Sequence, residues 1–360
     1  MEKIGEFIAS VCISFLVFTS SSYFFINTIG KEEALTSTRY GFVYEAINHI
    51  DDDGSPSVVG IGSSMLEQAF DGNCMSERNT GEITFYNLGM AASRPYTDMM
   101  MIPRLASSSV DVVMIEVGVN LLFKMDYEKE KLPEDPDSYV EMRFRIGTMM
   151  QEERDIGGWI DIVIPEHKEW LNLDVIERSQ SLQEYTRIGL ENQLLSYTEK
   201  VFDIGINSRN IPSPDSKDFD AYLRSPKWPG GGIDDMTNEE LNDYNKSLEN
   251  RSNYTPYSNG TANHAALFYE VETLLEAGKK VVIVTMPHYP VVYEHLKPGQ
   301  WDGFNATLRD LGAYDVEFLN YTFDNSWQYY HFRDRNHLGA DGREEFCNRV
   351  APFIEDLLVV

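Results

Sequence analysis

The sequence predicts an α/β fold: a doubly wound parallel sheet of about five strands, in the order 2-1-3-4-5. Three observations carry this. Short β-branched runs ending in Gly or a polar residue recur along the chain, the pattern of buried parallel strands. Helical patterns lie between them, and such alternation needs right-handed crossovers onto one sheet. Apolar residues make up 42% of the 360 residues, enough for a large core.

The elements follow in order. Phe7 to Gly30 is a run of 24 residues without a charged side chain. As a helix it would cover about 36 Å, against a bilayer core of ~30 Å. It reads as a transmembrane anchor over 1–30, single-pass, with the body outside the cytoplasm; the alternative is a signal peptide cut near Ser22, which would release a secreted protein. Residues 31–56 read as a membrane-proximal connector with a short helix around Arg39–Ile50. Strands are expected at Ser57–Gly62, Glu82–Leu88, Val110–Val117, Lys280–Met286 and Asp315–Asn320. Helices are expected after Ser64, at Tyr96–Ala106, at Ala262–Ala277 and from Gly339 to the end. Met99, Met100 and Met101 are expected to pack within the second of these against the sheet. The α/β domain then spans 57–360. The third and fourth strands are too far apart for a simple crossover, so about 125–260 reads as an insertion. At the carboxyl edge of a parallel sheet it would overhang the place where such sheets bind ligands.

Charge and sequons bound the partners. A formal charge of −28 excludes a general nucleic-acid binder, since a phosphate backbone would be repelled. N-x-S/T triplets start at Asn245, Asn250, Asn253, Asn259, Asn305 and Asn320, which reads as N-glycan acceptors, or as a loop merely rich in Asn and Ser. Three cysteines and no CxxC pair exclude a disulfide-dense scaffold and a zinc module. In a 2-1-3-4-5 sheet the helices after the first and last strands pack side by side. Cys74 and Cys347 fall on them and can approach, as a bridge or as two buried thiols.

Four short pieces sit where chemistry would need them. Gly60-Ile61-Gly62-Ser63-Ser64-Met65 ends the first strand and places a serine at the sheet's carboxyl edge. After the second strand, Gly89 can present a bare backbone N–H to a developing oxyanion. After the third, in Glu116-Val117-Gly118-Val119-Asn120, the Asn120 amide can donate to the same oxygen. Before the last helix, Asp334 and His337 lie three residues apart, close enough for the carboxylate to orient the imidazole. His288 and Arg94 also fall near the carboxyl edge and are candidates to line a substrate cleft. His331, Asp334 and His337 form H-x-x-D-x-x-H, but no further ligand cluster supports a metal there. Trp327, Tyr329, Tyr330 and Phe332 either pack in the core or stack on sugar rings.

In this order, each at a strand end, the four pieces resemble the SGNH, or GDSL-type, hydrolase superfamily. The resemblance covers about 57–122 and 280–358. It implies a nucleophile at Ser64, an acid/base pair at Asp334 and His337, oxyanion donors at Ser64, Gly89 and Asn120, and no cofactor or metal. Ser63 stands where the family's first block has Asp, and Leu121 where an Asp often follows the third block's Asn. The Gly-Ser-Ser form with an N-terminal membrane helix is similar to extracytoplasmic O-acyl transfer proteins of cell-wall and exopolysaccharide modification. What this implies is a membrane-anchored serine esterase or O-acyltransferase. Its substrate would be an acylated carbohydrate or small ester outside the cytoplasm. The alternatives are a catalytically inactive glycan-binding protein of the same fold and a structural surface protein.

Overall fold

The computed structural model describes residues 2–25, 41–79, 82–91, 93–118, 162, 175–202, 211–212, 214, 216–227, 233, 236–249, 261–294 and 301–359. The chain divides into two compact units. One holds Met1–Glu45, Lys131–Glu152 and Pro165–Pro214; the other holds Ala46–Glu130, Glu153–Ile164 and Asp215–Val360.

In the first unit the described residues form helix α1 (Glu2–Phe25), the start of α2 (Gly41–Asp53) and the long helix α7 (Val175–Phe202). Ile4, Phe7, Ile8, Val11, Ile13, Phe15, Leu16 and Val17 of α1 are all exposed. Among the described residues no helix is long and apolar enough to cross a membrane. The expected anchor, 1–30, lies partly outside them, since residues 26–30 are not among the described residues.

The second unit is the expected sheet: five parallel strands in the order 2-1-3-4-5. They are β1 (Ser57–Ile61), β2 (Thr84–Asn87), β3 (Val112–Glu116), β4 (Lys280–Thr285) and β5 (Glu317–Asn320). In β1 and β3 every residue is buried, as helices on both faces require. Val58, Phe85, Val112, Met114, Val282 and Val284 form one core with residues of α3 (Ser64–Ala69), α4 (Gly72–Arg78) and α13 (Ala340–Val359). The alternate residues Val59, Ile61, Val113, Ile115, Val281 and Ile283 point to the opposite face. There α10 (Ala262–Glu276) packs against β4 and against two short helices, α5 (Pro95–Asp98) and α6 (Ile102–Ser107).

That pair corrects the single helix expected at Tyr96–Ala106. Pro95 and Pro103 each open a short helix, where a missing N–H costs least. Met99, Met100 and Met101 are buried as expected, but in the turn between the two. Helix α2 runs on through Asp51 and Asp52 to Asp53, past the end expected at Ile50. Asp51 is held there by Arg104, 3.0 Å away, and by the N–H of Ser109 at 2.6 Å. Among the described residues this unit also holds α8 (Asp218–Arg224), α9 (Asn238–Glu249), α11 (Pro290–Glu294) and α12 (Asp302–Leu311).

Cys74 on α4 and Cys347 on α13 form a disulfide, with Cα atoms 6.2 Å apart. Asn79 Nδ2 reinforces the same contact by donating to Ala351 O at 3.2 Å. The staple joins the segment that follows Ser64 to the helix that follows His337. Cys12 on α1 is a free, exposed thiol.

Candidate active site

The β1 strand ends in a turn that only glycines permit. Gly62 has φ +149°, and a Cβ there would sit 2.4 Å from Glu116 Cβ. A Cβ on Gly60 would sit 2.7 Å from the Phe70 ring. Ser63 then caps α3, its Oγ accepting from Met65 N at 3.2 Å. Ser64, the next residue, is half-buried at the carboxyl edge of the sheet, beside the switch point between β1 and β3.

The Asp334–His337 loop arrives from beyond β5. Asp334 Oδ1 accepts from the N–H groups of Asn336 at 2.9 Å and His337 at 3.0 Å, closing a tight turn. The loop is tied from outside: Tyr244 Oη on α9 accepts from Arg335 N at 2.6 Å, and Arg335 O accepts from Tyr289 N at 3.0 Å. A Cβ on Gly342 would lie 2.1 Å from His331 O, so glycine there lets α13 start directly under the loop.

These pieces bring the three expected catalytic residues together. Ser64 Oγ lies 2.8 Å from His337 Nε2, and His337 Nδ1 lies 2.9 and 2.8 Å from the two oxygens of Asp334. With Nδ1–H donating to the carboxylate, Nε2 is left as the acceptor for the serine proton. Burial alone would raise the Asp334 pKa. The hydrogen bond and charge of His337, with the Asn336 and His337 N–H groups, outweigh it and hold the carboxyl below its usual range.

The oxyanion donors divide differently. Among the described residues Ser64 N–H has no protein acceptor. Gly89 N–H donates to Asn87 Oδ1 at 3.1 Å. A Cβ at 89 would lie 2.8 Å from Glu67 N, so the glycine serves the close approach of two turns. Asn87 completes that clamp by donating to Glu67 O and Phe70 O, each at 2.8 Å. Asn120 lies outside the described residues.

The two cleft candidates have other partners. Arg94 is half-buried at the start of α5, its N–H donating to Thr97 Oγ1 at 2.9 Å. His288 is buried, its Nδ1 3.4 Å from Asn336 Oδ1 and its N–H donating to Tyr293 Oη at 3.0 Å. Burial lowers its pKa to about 4, which favours the neutral imidazole behind the Asp334–His337 loop. His331 Nδ1 accepts from Gln328 N at 3.0 Å within a 3₁₀ turn. Among the described residues no group of three or more His, Cys, Asp or Glu side chains could hold a metal ion. The aromatic set splits: Trp327 and Phe332 are in the core, while Tyr329 and Tyr330 are exposed. Of the sequons, Asn305 and Asn320 are exposed and Asn245 Oδ1 is buried; Asn250, Asn253 and Asn259 lie outside the described residues.

One residue at the site went unassigned in the sequence. Glu116 ends β3 fully inside the protein, beneath the Ser63–Ser64 turn. Its Oε2 accepts from Ser63 N at 2.7 Å and Leu66 N at 3.3 Å, and its Oε1 from Ser63 Oγ at 2.9 Å. The available signal was a lone carboxylate closing the apolar run Val-Val-Met-Ile, where a buried charge must have partners.

No protein-family model matches the chain, and no curated protein matches it.

Proposed function

We propose that the chain is a serine esterase or O-acyltransferase of the SGNH type, acting through an acyl-Ser64 intermediate. The observation that supports this is the continuous chain from Ser64 Oγ through His337 to Asp334. A serine hydroxyl is a weak nucleophile until a base takes its proton. As Ser64 Oγ attacks a carbonyl carbon, its proton passes to His337 Nε2 and the carbonyl oxygen becomes an oxyanion. The imidazolium is stabilised by the adjacent Asp334 carboxylate. The Ser64 N–H is the donor we assign to the new oxyanion. Collapse expels the alcohol, which takes the proton from His337. Water or a second alcohol then attacks the acyl-serine by the same steps in reverse, giving an acid or a new ester.

An acylated carbohydrate outside the cytoplasm is the substrate class we favour. The disulfide supports an oxidising compartment. The exposed apolar side chains of α1 support attachment to a membrane through the N-terminal segment. The test uses the full chain. A fluorophosphonate probe should label Ser64, mapped by peptide mass, and p-nitrophenyl acetate should turn over. A folded protein that does neither would favour the glycan-binding alternative.

A further inference from the structure

We propose that Glu116 is a positioning residue for the nucleophile turn, selecting the single N–H that remains for the carbonyl oxygen. This rests on the esterase reading of the site. The argument is an account of donors. Five successive N–H groups leave the turn, from Ser63 to Glu67. Ser63 N and Leu66 N donate to Glu116, Met65 N to Ser63 Oγ, and Glu67 N to Ser63 O at 2.9 Å. Among the described residues, Ser64 N–H is the one left over, on the proposed nucleophile itself. Without the carboxylate, the N–H groups of Ser63 and Leu66 would be buried and unpartnered, and the turn would rotate to find acceptors. Such a rotation moves Ser64 Oγ away from His337 Nε2.

The surroundings fit this role. Gly62 lacks the Cβ that would strike Glu116, so the turn is built against this side chain. Ser63 bridges the two functions, donating to Glu116 while capping α3.

The experiment compares Glu116→Gln and Glu116→Asp with the wild-type full chain. Gln keeps the shape and one acceptor oxygen but loses the charge. Asp keeps the charge but falls one methylene short. Steady-state kinetics on p-nitrophenyl acetate and the rate of phosphonate labelling at Ser64 are measured on folded samples. Hydrogen exchange of the peptide covering 62–67 is followed alongside. The expected result is a kcat lower by about 10- to 100-fold in both variants, as for a misplacement of about 1 Å. KM should stay within about threefold, and exchange should quicken in 62–67 but not in β1. A purely structural residue would lower the melting temperature while leaving the kcat of folded protein unchanged. Active wild type with variants within twofold of its kcat would overturn the proposal and leave the esterase reading standing. Inert wild type would overturn the esterase reading and Glu116's role with it. If neither variant folds, Ser63→Ala carries the test. It removes one of the three donors to Glu116 and should lower kcat severalfold, and an unchanged kcat would overturn the proposal.

Discussion

Glu116 and Glu270 are the same residue type, both buried in the α/β unit, and they lie in opposite surroundings. Glu116 accepts three hydrogen bonds from one turn. Among the described residues, neither side-chain oxygen of Glu270, on α10, has a hydrogen-bond partner. Burial pushes the Glu116 carboxyl up only to about 7, because Ser63, Leu66 and His337 all favour its charged form. Burial pushes Glu270 well above the ordinary range, and the nearby Asp98 charge adds to it. Burial therefore biases Glu270 toward its protonated form, whereas Glu116 is near its midpoint at neutral pH. Donor geometry, not depth, separates a carboxylate that organises a site from one that the core merely tolerates.

The comparison stands only if the Glu116 side is a working site, and the largest expected effect tests that. Ser64→Ala and His337→Ala should each lower ester turnover by at least about a thousandfold. The double variant should be little worse than either, because the two act as one unit. Additive losses in the kinetics would show that they do not share a mechanism. Added chelator should change nothing; inhibition would return His331 and Asp334 to consideration as metal ligands.

The next effect concerns what holds the two halves of that site together. The Cys74–Cys347 bridge closes a sequence separation of 273 residues and ties α4 to α13. Reduction, or Cys74→Ala with Cys347→Ala, should lower stability by about 2–5 kcal/mol in a denaturant titration. The Glu270 side has no such staple and relies on apolar packing of α10 with α5 and α6. Turnover by the folded, reduced protein should fall less than stability does. A reduced protein as stable as the oxidised one would mean that packing alone suffices on both faces.

Much of this was legible in the residues. The five strands showed as β-branched runs because both faces of a parallel sheet are buried, so no polar alternation blurs them. Ser64 and the Asp334–His337 pair showed because each sits in a short local turn. What was not legible depends on contacts between distant segments. Glu116 reaches Ser63 across 53 positions, and no spacing rule pairs them. Gly89 was readable as a bare N–H, but Asn87 Oδ1 is its acceptor only once the second turn folds back. The break between α5 and α6 was missed because an apolar period hid what Pro103 does to a helix.

The Glu270 side yields a smaller effect with a definite sign. Its folded pKa is raised above the unfolded value near 4.5. The native state therefore binds more protons than the unfolded state above that value, and its contribution to stability is lost as pH rises toward the folded pKa. Glu116 acts in the same direction, with its window closing near pH 7. Asp334 is shifted the other way, but its contribution is lost only as pH falls below the usual carboxylate range. Glu270→Gln should therefore gain stability relative to wild type as pH rises through the range above the ordinary carboxylate value. Denaturant midpoints at several pH values measure this. A constant difference across that range would mean that Glu270 is ionised in the folded protein and has found a partner.

The smallest effect turns one acid partway into the other. Ser63→Ala removes the hydroxyl that caps Met65 N and donates to Glu116 Oε1. Loss of the cap should cost about 1 kcal/mol at any pH. Loss of the donor costs more when Glu116 is charged than when it is protonated, because it weakens a hydrogen bond to an anion. The Glu116 pKa should therefore rise toward the condition of Glu270, and the destabilisation should be greater at pH 8 than at pH 6. Thermal melts at the two values give the difference. A loss equal at both would confine Ser63 to capping and leave Leu66 and the Ser63 N–H to hold the carboxylate. Turnover decides a second point in the same samples. Ser63→Ala should retain far more activity than Ser64→Ala, since its oxygen makes no contact with His337. If Ser63→Ala were the inert variant, the nucleophile would be the wrong serine, and Glu116 would be the base's partner rather than the turn's support.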